Sequence, residues 1–321
     1  MNFRIKLFSQ VRDSVKRVLG FTLTVALLPI ALFRLVGISV RFGKIPCKRY
    51  GHLAKNSDLF LRRISAGLID DDWIVICVLP KGDKEVANHA LLELVLRECA
   101  KYDRIFVCRS RLLYRNWSWI EEVLQRAGAH IDLGYNSSEV EFSTLPQAIF
   151  IPESTRTESQ KFLSDMGINV TKPIVGVFVR DSEYLRKVEC GRVDRSYHDF
   201  RDSKLEAYER AICWLLDSGM QVVRLGKVVR TRSQIKRAGF FDYGFSEKKD
   251  DRLELGIVQS LSFIFGSASG PTDVAITLGI PFLATDLAPP HCVPLGKMDM
   301  YLPKKLESIE SGELVPYFSI I

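Results

Sequence analysis

Three short segments of this chain carry residues able to grip an anion. Val179-Arg180-Asp181-Ser182 sets an arginine and a carboxylate at the end of an apolar run. Arg224-Leu225-Gly226-Lys227 sets cations on both sides of a dipeptide whose Gly226, lacking a Cβ, lets backbone approach a ligand. Gly266-Ser267-Ala268-Ser269-Gly270-Pro271-Thr272-Asp273 follows a third apolar run with small residues, and Pro271 stands where a helix should begin. Bare amides at a helix N-terminus, beside serine hydroxyls, make a ready anion site, and two arginines nearby would complete a diphosphate cradle. Each segment also has a plainer reading, the first as a salt bridge at a turn and the third as an ordinary helix start. Their convergence at strand ends of one sheet favours a ligand, because open α/β sheets bind ligands beyond the carboxyl ends of their strands.

His52 is the candidate for proton transfer. It follows Arg49-Tyr50-Gly51 and precedes the helix-like LAKNSDLFLRRI, so its expected place is a loop opening into a cleft. Imidazole titrates near neutrality, which suits a general base; the plainer reading is a histidine that caps or orients the loop. Several other chemistries lack their signatures. There is no GxxxxGK[ST] phosphate loop, no GxGxxG dinucleotide motif and no HExxH, and the five histidines are scattered, so no metal is expected.

The elements that must position these residues alternate. WIVICVLP (73–80) and RIFVCRS (104–110) read as buried strands, with helical patterns over 89–100 and 117–129. AIFIPE (148–153) reads as the last strand of this half, and STRTESQKFLSDMGI as a polar, helix-compatible bridge with no core of its own. The pattern restarts with a strand over 173–182 and a strong amphipathic helix over 203–220. Strands over 220–226, 261–267 and 281–286 follow, with GFFDYGF as a further short one and helices over 251–260 and 271–280. Strand, helix, strand with short connections implies an α/β protein of parallel sheets covered on both faces. The expected divisions are residues 1–40, 41–165 and 166–321.

The first division is set apart by charge. Arg4, Lys6, Arg12, Lys16 and Arg17 precede an uncharged run of 16 residues, Val18 to Phe33, and Arg41, Lys44, Lys48 and Arg49 follow it. Spanning a bilayer takes ~20 apolar residues, and cationic flanks on both sides fit a segment lying in the cytoplasmic leaflet. Much of the net charge of +7 flanks this run, which directs it to a membrane surface and away from nucleic acid. The seven cysteines are odd in number and include no CxxC pair, as expected of free thiols in a reducing compartment.

An ordered set of motifs completes the reading. Asp-Ser-Glu-Tyr-Leu (181–185), Tyr197-His198-Asp199-Phe200-Arg201-Asp202, Val223-Arg224-Leu225-Gly226 and Ser269-Gly270-Pro271-Thr272-Asp273 occur with Leu287-Ala288-Pro289-Pro290 and Leu302-Pro303-Lys304-Lys305-Leu306. Together they resemble the glycosyltransferases of bacterial surface-polysaccharide gene clusters, which are similar to GT-B-type enzymes. The match is densest over 173–306 and thinner back to Arg49-Tyr50-Gly51-His52-Leu53. The resemblance implies two Rossmann-like domains facing a cleft, with a nucleotide-sugar donor in the C-terminal domain and a lipid-linked glycan acceptor in the N-terminal one. It implies a metal-independent transfer at the cytoplasmic face of the inner membrane. Ser267, Ser269, Gly270 and Thr272 would then contact phosphate or sugar, beside Asp181, Gly226 and Pro271. Arg180 and Arg224 would compensate charge as the nucleotide leaves. Asp273 would bond a sugar hydroxyl, unless it serves only as first-turn helix chemistry. Arg201 would close over the donor, or belong to a solvated mixed-charge loop. Inversion needs a base, for which His52 is the candidate, and retention does not; the sequence leaves both open. Where similar proteins often carry His, two residues before the arginine of the first segment, this chain has Phe178. A nucleotide-sugar epimerase and a non-catalytic assembly protein are the alternatives.

Overall fold

A computed structural model of the chain describes residues 37–134, 139–181, 183, 196–288, 296 and 298–316. The apolar run at 18–33, Ser182, Tyr184, Leu185, Pro289, Pro290 and the side chain of His198 lie outside the described residues. No helix among the described residues is long and apolar enough to cross a membrane.

Two parallel sheets organise the chain. The first holds β1 (Ser39–Lys44), β2 (Trp73–Leu79) and β3 (Ile105–Arg109), in that spatial order. Residues 129–131 flank β1 on its other side: the Phe42 N–H donates to the Ala129 carbonyl at 2.7 Å, and the Ile131 N–H donates to the Phe42 carbonyl at 3.0 Å. β1 is therefore where the chain switches direction across the sheet. Its SVRFGK was read as part of the basic flank of a membrane segment. In the structure it is a core strand, and the Arg41 guanidinium stacks 4.2 Å above the Trp73 ring.

The second sheet is six-stranded and parallel, in the order β6-β5-β4-β7-β8-β9. Its strands are β4 (Ile174–Phe178), β5 (Gln221–Arg224), β6 (Phe240–Asp242), β7 (Phe263–Gly266), β8 (Phe282–Leu287) and β9 (Met300–Pro303). The chain starts in the middle at β4, runs outward, returns to β7 and runs outward again. That is the order of a dinucleotide-binding sheet, with its switch point between β4 and β7. β4 is buried at every residue, the pattern of a strand covered on both faces.

Among the described residues the α-helices are α1 (Tyr50–Ser65), α2 (His89–Cys99), α3 (Arg111–Arg115), α4 (Trp117–Arg126), α5 (Glu139–Thr144), α6 (Glu153–Asp165), α7 (Glu206–Asp217), α8 (Asp251–Gln259) and α9 (Gly270–Thr277). One expectation fails here: AIFIPE is no strand, because the Asp58 carboxylate takes the N–H groups of Ala148 and Ile149 at 3.1 and 3.0 Å. The bridge is the helix α6, and its apolar residues pack on the second sheet: Leu163 is buried, and Phe162 stacks edge-on against Phe241 and Tyr243.

The two sheets share one hydrophobic core, in which α1 packs on α9 and α6 on α8. A buried ion pair within α1 stands at this seam. Arg62 meets Asp58 at 2.5 Å and also donates to the carbonyls of Leu145 (2.7 Å) and Thr277 (3.5 Å). One guanidinium thus caps the end of α9 while holding the 142–149 connection to α1.

Candidate functional site

The carboxyl ends of β1, β4 and β7 point into one cleft between the sheets. It is a cavity of about 170 Å³, bounded on the first side by Arg49, Tyr50, Gly51 and His52. On the second side stand Arg180, Arg201, Lys227, Glu254, Ser269 and Asp273. A neighbouring groove of about 380 Å³ shares Lys227 and Glu254 with it. Together they reach the ~300–1,000 Å³ of small-molecule sites.

The β7–α9 turn is built for backbone exposure. Gly266 has φ of 132°, and a side chain there would collide with the Phe178 carbonyl, so β7 can approach β4 this closely only with glycine. Beyond it, the Thr272 hydroxyl accepts the Ser269 N–H at 2.8 Å and donates to the Ser269 carbonyl at 2.7 Å, closing the first turn of α9. Pro271 has no N–H to lose. Gly270 and Ser269 face the cleft, at the electropositive end of the helix.

Arginines and a strained strand end surround this turn. Arg180 is buried and pairs with Asp202, while its backbone N–H donates to Ser267 Oγ at 3.3 Å. Arg201 donates to the Ala268 carbonyl at 3.2 Å, which brings it over the turn. Beneath them, Tyr208, Ser203 and Thr285 gather around Asp286, which holds an unusual φ of 51° at the end of β8. This network fixes Ser267, itself only 1% exposed, so Ser267 supports the turn from inside and does not line the cleft.

Other sequence-selected residues also have structural duties. Arg224 is 1% exposed, pairs with Asp242 at 3.1 Å and donates to the Thr231 carbonyl at 2.6 Å. It is not among the cleft-lining residues. Gly226, with φ of 143°, turns the chain against Val229, and its open conformation serves that turn. Asp181 borders the cleft and accepts the N–H groups of Glu183 and Arg230 at 3.1 and 2.8 Å. Thr272 is buried as the helix closure described above. The structure therefore brings together Arg180, Asp181, Arg201, Ser269, Gly270, Pro271, Asp273 and His52, and leaves Arg224, Gly226, Ser267 and Thr272 behind them.

His52 is not in a loop. It lies in the first turn of α1, because the Leu53 N–H already bonds the Arg49 carbonyl at 2.9 Å. Burial, then Arg49 and Lys55, push its pKa down to about 4, so the imidazole is neutral near pH 7, though a weaker base than an exposed one. Next to it, Gly51 lies so close to Asp273 that any side chain would overlap that carboxylate. The N-termini of α1 and α9 thus meet at the cleft, with Asp273 between them and Lys55 4.0 Å away. Burial raises the Asp273 pKa, and Lys55 and Arg201 oppose that rise.

Two further cleft residues were given no role by the sequence reading, Lys227 although its segment was singled out and Glu254 altogether. Lys227 crosses between the sheets, donating to the Ala87 carbonyl at 2.7 Å and to Asp251 at 2.8 Å. Glu254 is 3% exposed, its Oε1 has no hydrogen-bond partner among the described residues, and burial pushes its pKa up to about 7. The signal for Glu254 was an acid within the otherwise apolar face of α8, which periodicity alone reads as helix surface. Among the described residues no group of His, Cys, Asp and Glu could hold a metal ion.

No family model matches the chain, and no curated protein matches it. Solved structures with a similar course include a glycosyl transferase family 9 protein from Veillonella parvula, 14% identical with a TM-score of 0.47, covering 85% of this chain and 89% of that one. Escherichia coli ADP-heptose LPS heptosyltransferase II is 14% identical with a TM-score of 0.46, covering 84% and 92%. E. coli heptosyltransferase WaaC, solved with ADP-2-deoxy-2-fluoro heptose, is 12% identical with a TM-score of 0.42, covering 82% and 92%. At such scores the reading of the cleft rests on its own geometry.

Proposed function

We propose that the chain is a glycosyltransferase that moves a sugar from a nucleotide-sugar donor to a glycan acceptor, lipid-linked and met at the cytoplasmic leaflet through residues 1–40. One observation carries the reading: an anion cradle and a neutral imidazole face each other across a single cleft, each at the switch point of a parallel sheet. The donor's diphosphate lies at the N-terminus of α9, with Arg180 and Arg201 beside it. Glu254, buried and with its Oε1 unpartnered among the described residues, accepts a donor hydroxyl. His52 takes the proton from the acceptor hydroxyl, whose oxygen attacks the anomeric carbon as the bond to the diphosphate oxygen breaks. The charge that develops on the departing diphosphate falls on helix amides and arginines, fixed in place before the reaction. The cradle needs no metal for this step.

Calorimetric titration with ADP, UDP, GDP and CMP tests the reading. One of them should bind, and Arg180→Met should weaken it by roughly tenfold, the ~1.5–3 kcal/mol of a hydrogen bond to a charged group reduced by solvent competition. Absence of binding by all four would sink it.

A further inference from the structure

A second concavity, of about 240 Å³, opens beside the cleft on the first sheet. Lys44, Pro46, Lys48, Arg49, His52 and Tyr114 line it. It shares Arg49 and His52 with the cleft, so the imidazole stands on the wall between the two. We propose that this concavity binds a phosphate or carboxylate carried by the acceptor sugar close to its accepting hydroxyl. The proposal rests on the glycosyl-transfer reading for the word acceptor, though not for the anion site itself.

The lining supplies three cations and no acid. Of the two acids nearby, Glu85 is held by Arg115 at 2.9 Å and makes a longer pair of 3.9 Å with Lys48. Glu121 is held by His130 at 3.2 Å. Lys44 is fixed in position, its ammonium 4.3 Å above the ring of Tyr114. Tyr114 is itself buried, and its hydroxyl accepts the Cys47 N–H at 3.0 Å, which ties down the loop between β1 and α1. Burial and then the neighbouring Lys48 lower the Lys44 pKa, the mark of an ammonium partly desolvated beside a like charge. An anion between the two relieves both. The same rim carries the start of α1, which has no acid in its first turn and no side-chain cap. Its first free amides add to the positive potential.

Position gives the occupant its role. The donor diphosphate is accounted for at α9, on the far side of His52. A molecule anchored by its anion at Lys44 and Lys48 meets the imidazole from the opposite face, as an incoming acceptor must. A neutral acceptor would bring these three cations no counter-charge.

Pyridoxal 5′-phosphate tests the site, because its phosphate seeks the anion pocket while its aldehyde condenses with a nearby amine, releasing water. The full chain is treated, reduced with borohydride, digested and mapped by mass spectrometry. Lys44 or Lys48 should label ahead of the exposed Lys101 and Lys305, and pyridoxal without its phosphate should show no such preference. Inorganic phosphate and glucose 1-phosphate should suppress the label, whereas glucose and chloride of equal ionic strength should not. Arg49→Met should raise the phosphate concentration needed for half-protection roughly tenfold, a loss of about 1.4 kcal/mol. Labelling spread evenly over exposed lysines, or suppressed equally by chloride, overturns the proposal and leaves a solvated basic face. Nucleoside diphosphate binding measured on the same protein separates the two readings. Phosphate protection without nucleotide binding refutes glycosyl transfer and keeps the anion site, while nucleotide binding without protection refutes the anion site alone.

Discussion

Replacing Glu254 by Gln should make the protein more stable at alkaline pH and leave it unchanged at acid pH. The side chain is 3% exposed, with Oε1 unpartnered among the described residues. Burial raises its pKa from 4.5 to about 7, Asp251 adds to the rise, and Lys227 and Lys249 oppose it. An acid whose folded pKa is raised binds its proton more tightly when folded. It therefore costs nothing below about pH 4.5, and its penalty grows until the pH passes about 7. That displacement, at 1.36 kcal/mol per unit, amounts to about 3 kcal/mol at the alkaline end. Urea unfolding of both proteins across this range measures it. The stability advantage of Glu254→Gln should rise from near zero at about pH 4.5 to about 3 kcal/mol at about pH 8.5. A constant difference would show that the carboxylate is solvated or paired, and the assignment of Glu254 as a donor contact would lose its physical basis. Saturating nucleotide should shrink the advantage, since a bound hydroxyl supplies the missing partner.

Other perturbations separate structural from chemical roles. His52→Gln should lower turnover ~10²–10⁴-fold while nucleotide affinity, read by calorimetry, stays unchanged; unchanged turnover would remove His52 as the base. With its pKa near 4, the acidic limb of the wild-type rate profile should fall at about pH 4 and not at the usual imidazole value. Arg224→Leu strands Asp242 in the interior and should cost ~3–5 kcal/mol in urea unfolding, with nucleotide affinity retained by the folded fraction. Arg180→Met should also cost stability through Asp202 but, unlike Arg224→Leu, should weaken nucleotide binding in the folded fraction roughly tenfold, and equal effects on affinity would refute their separation. Gly51→Ala should push α1 off Asp273, losing ~1–3 kcal/mol and weakening nucleotide binding together; an Ala variant with wild-type behaviour would show that the helices do not meet there.

The sequence by itself determined the alternation of elements and most of the strands that end at the cleft. WIVICVL and IVGVF are continuous apolar runs, and Ser-Gly-Pro-Thr-Asp announces a helix start, so each signal is complete within a few residues. Cations are different, because a charge does not state its partner. Arg180 and Arg224 look alike at their strand ends, yet one borders the cleft and the other is sealed against Asp242 by a turn that the sequence does not mark. SVRFGK was read as a basic flank because its aromatic partners, such as Trp73, are distant in the chain. AIFIPE carries strand periodicity, but Asp58, some 90 residues earlier, takes its amides. Glu254 became conspicuous only when packing removed its water. Local patterns fix what a segment can form, whereas burial and long-range hydrogen bonds fix which of its polar groups are left to meet a ligand.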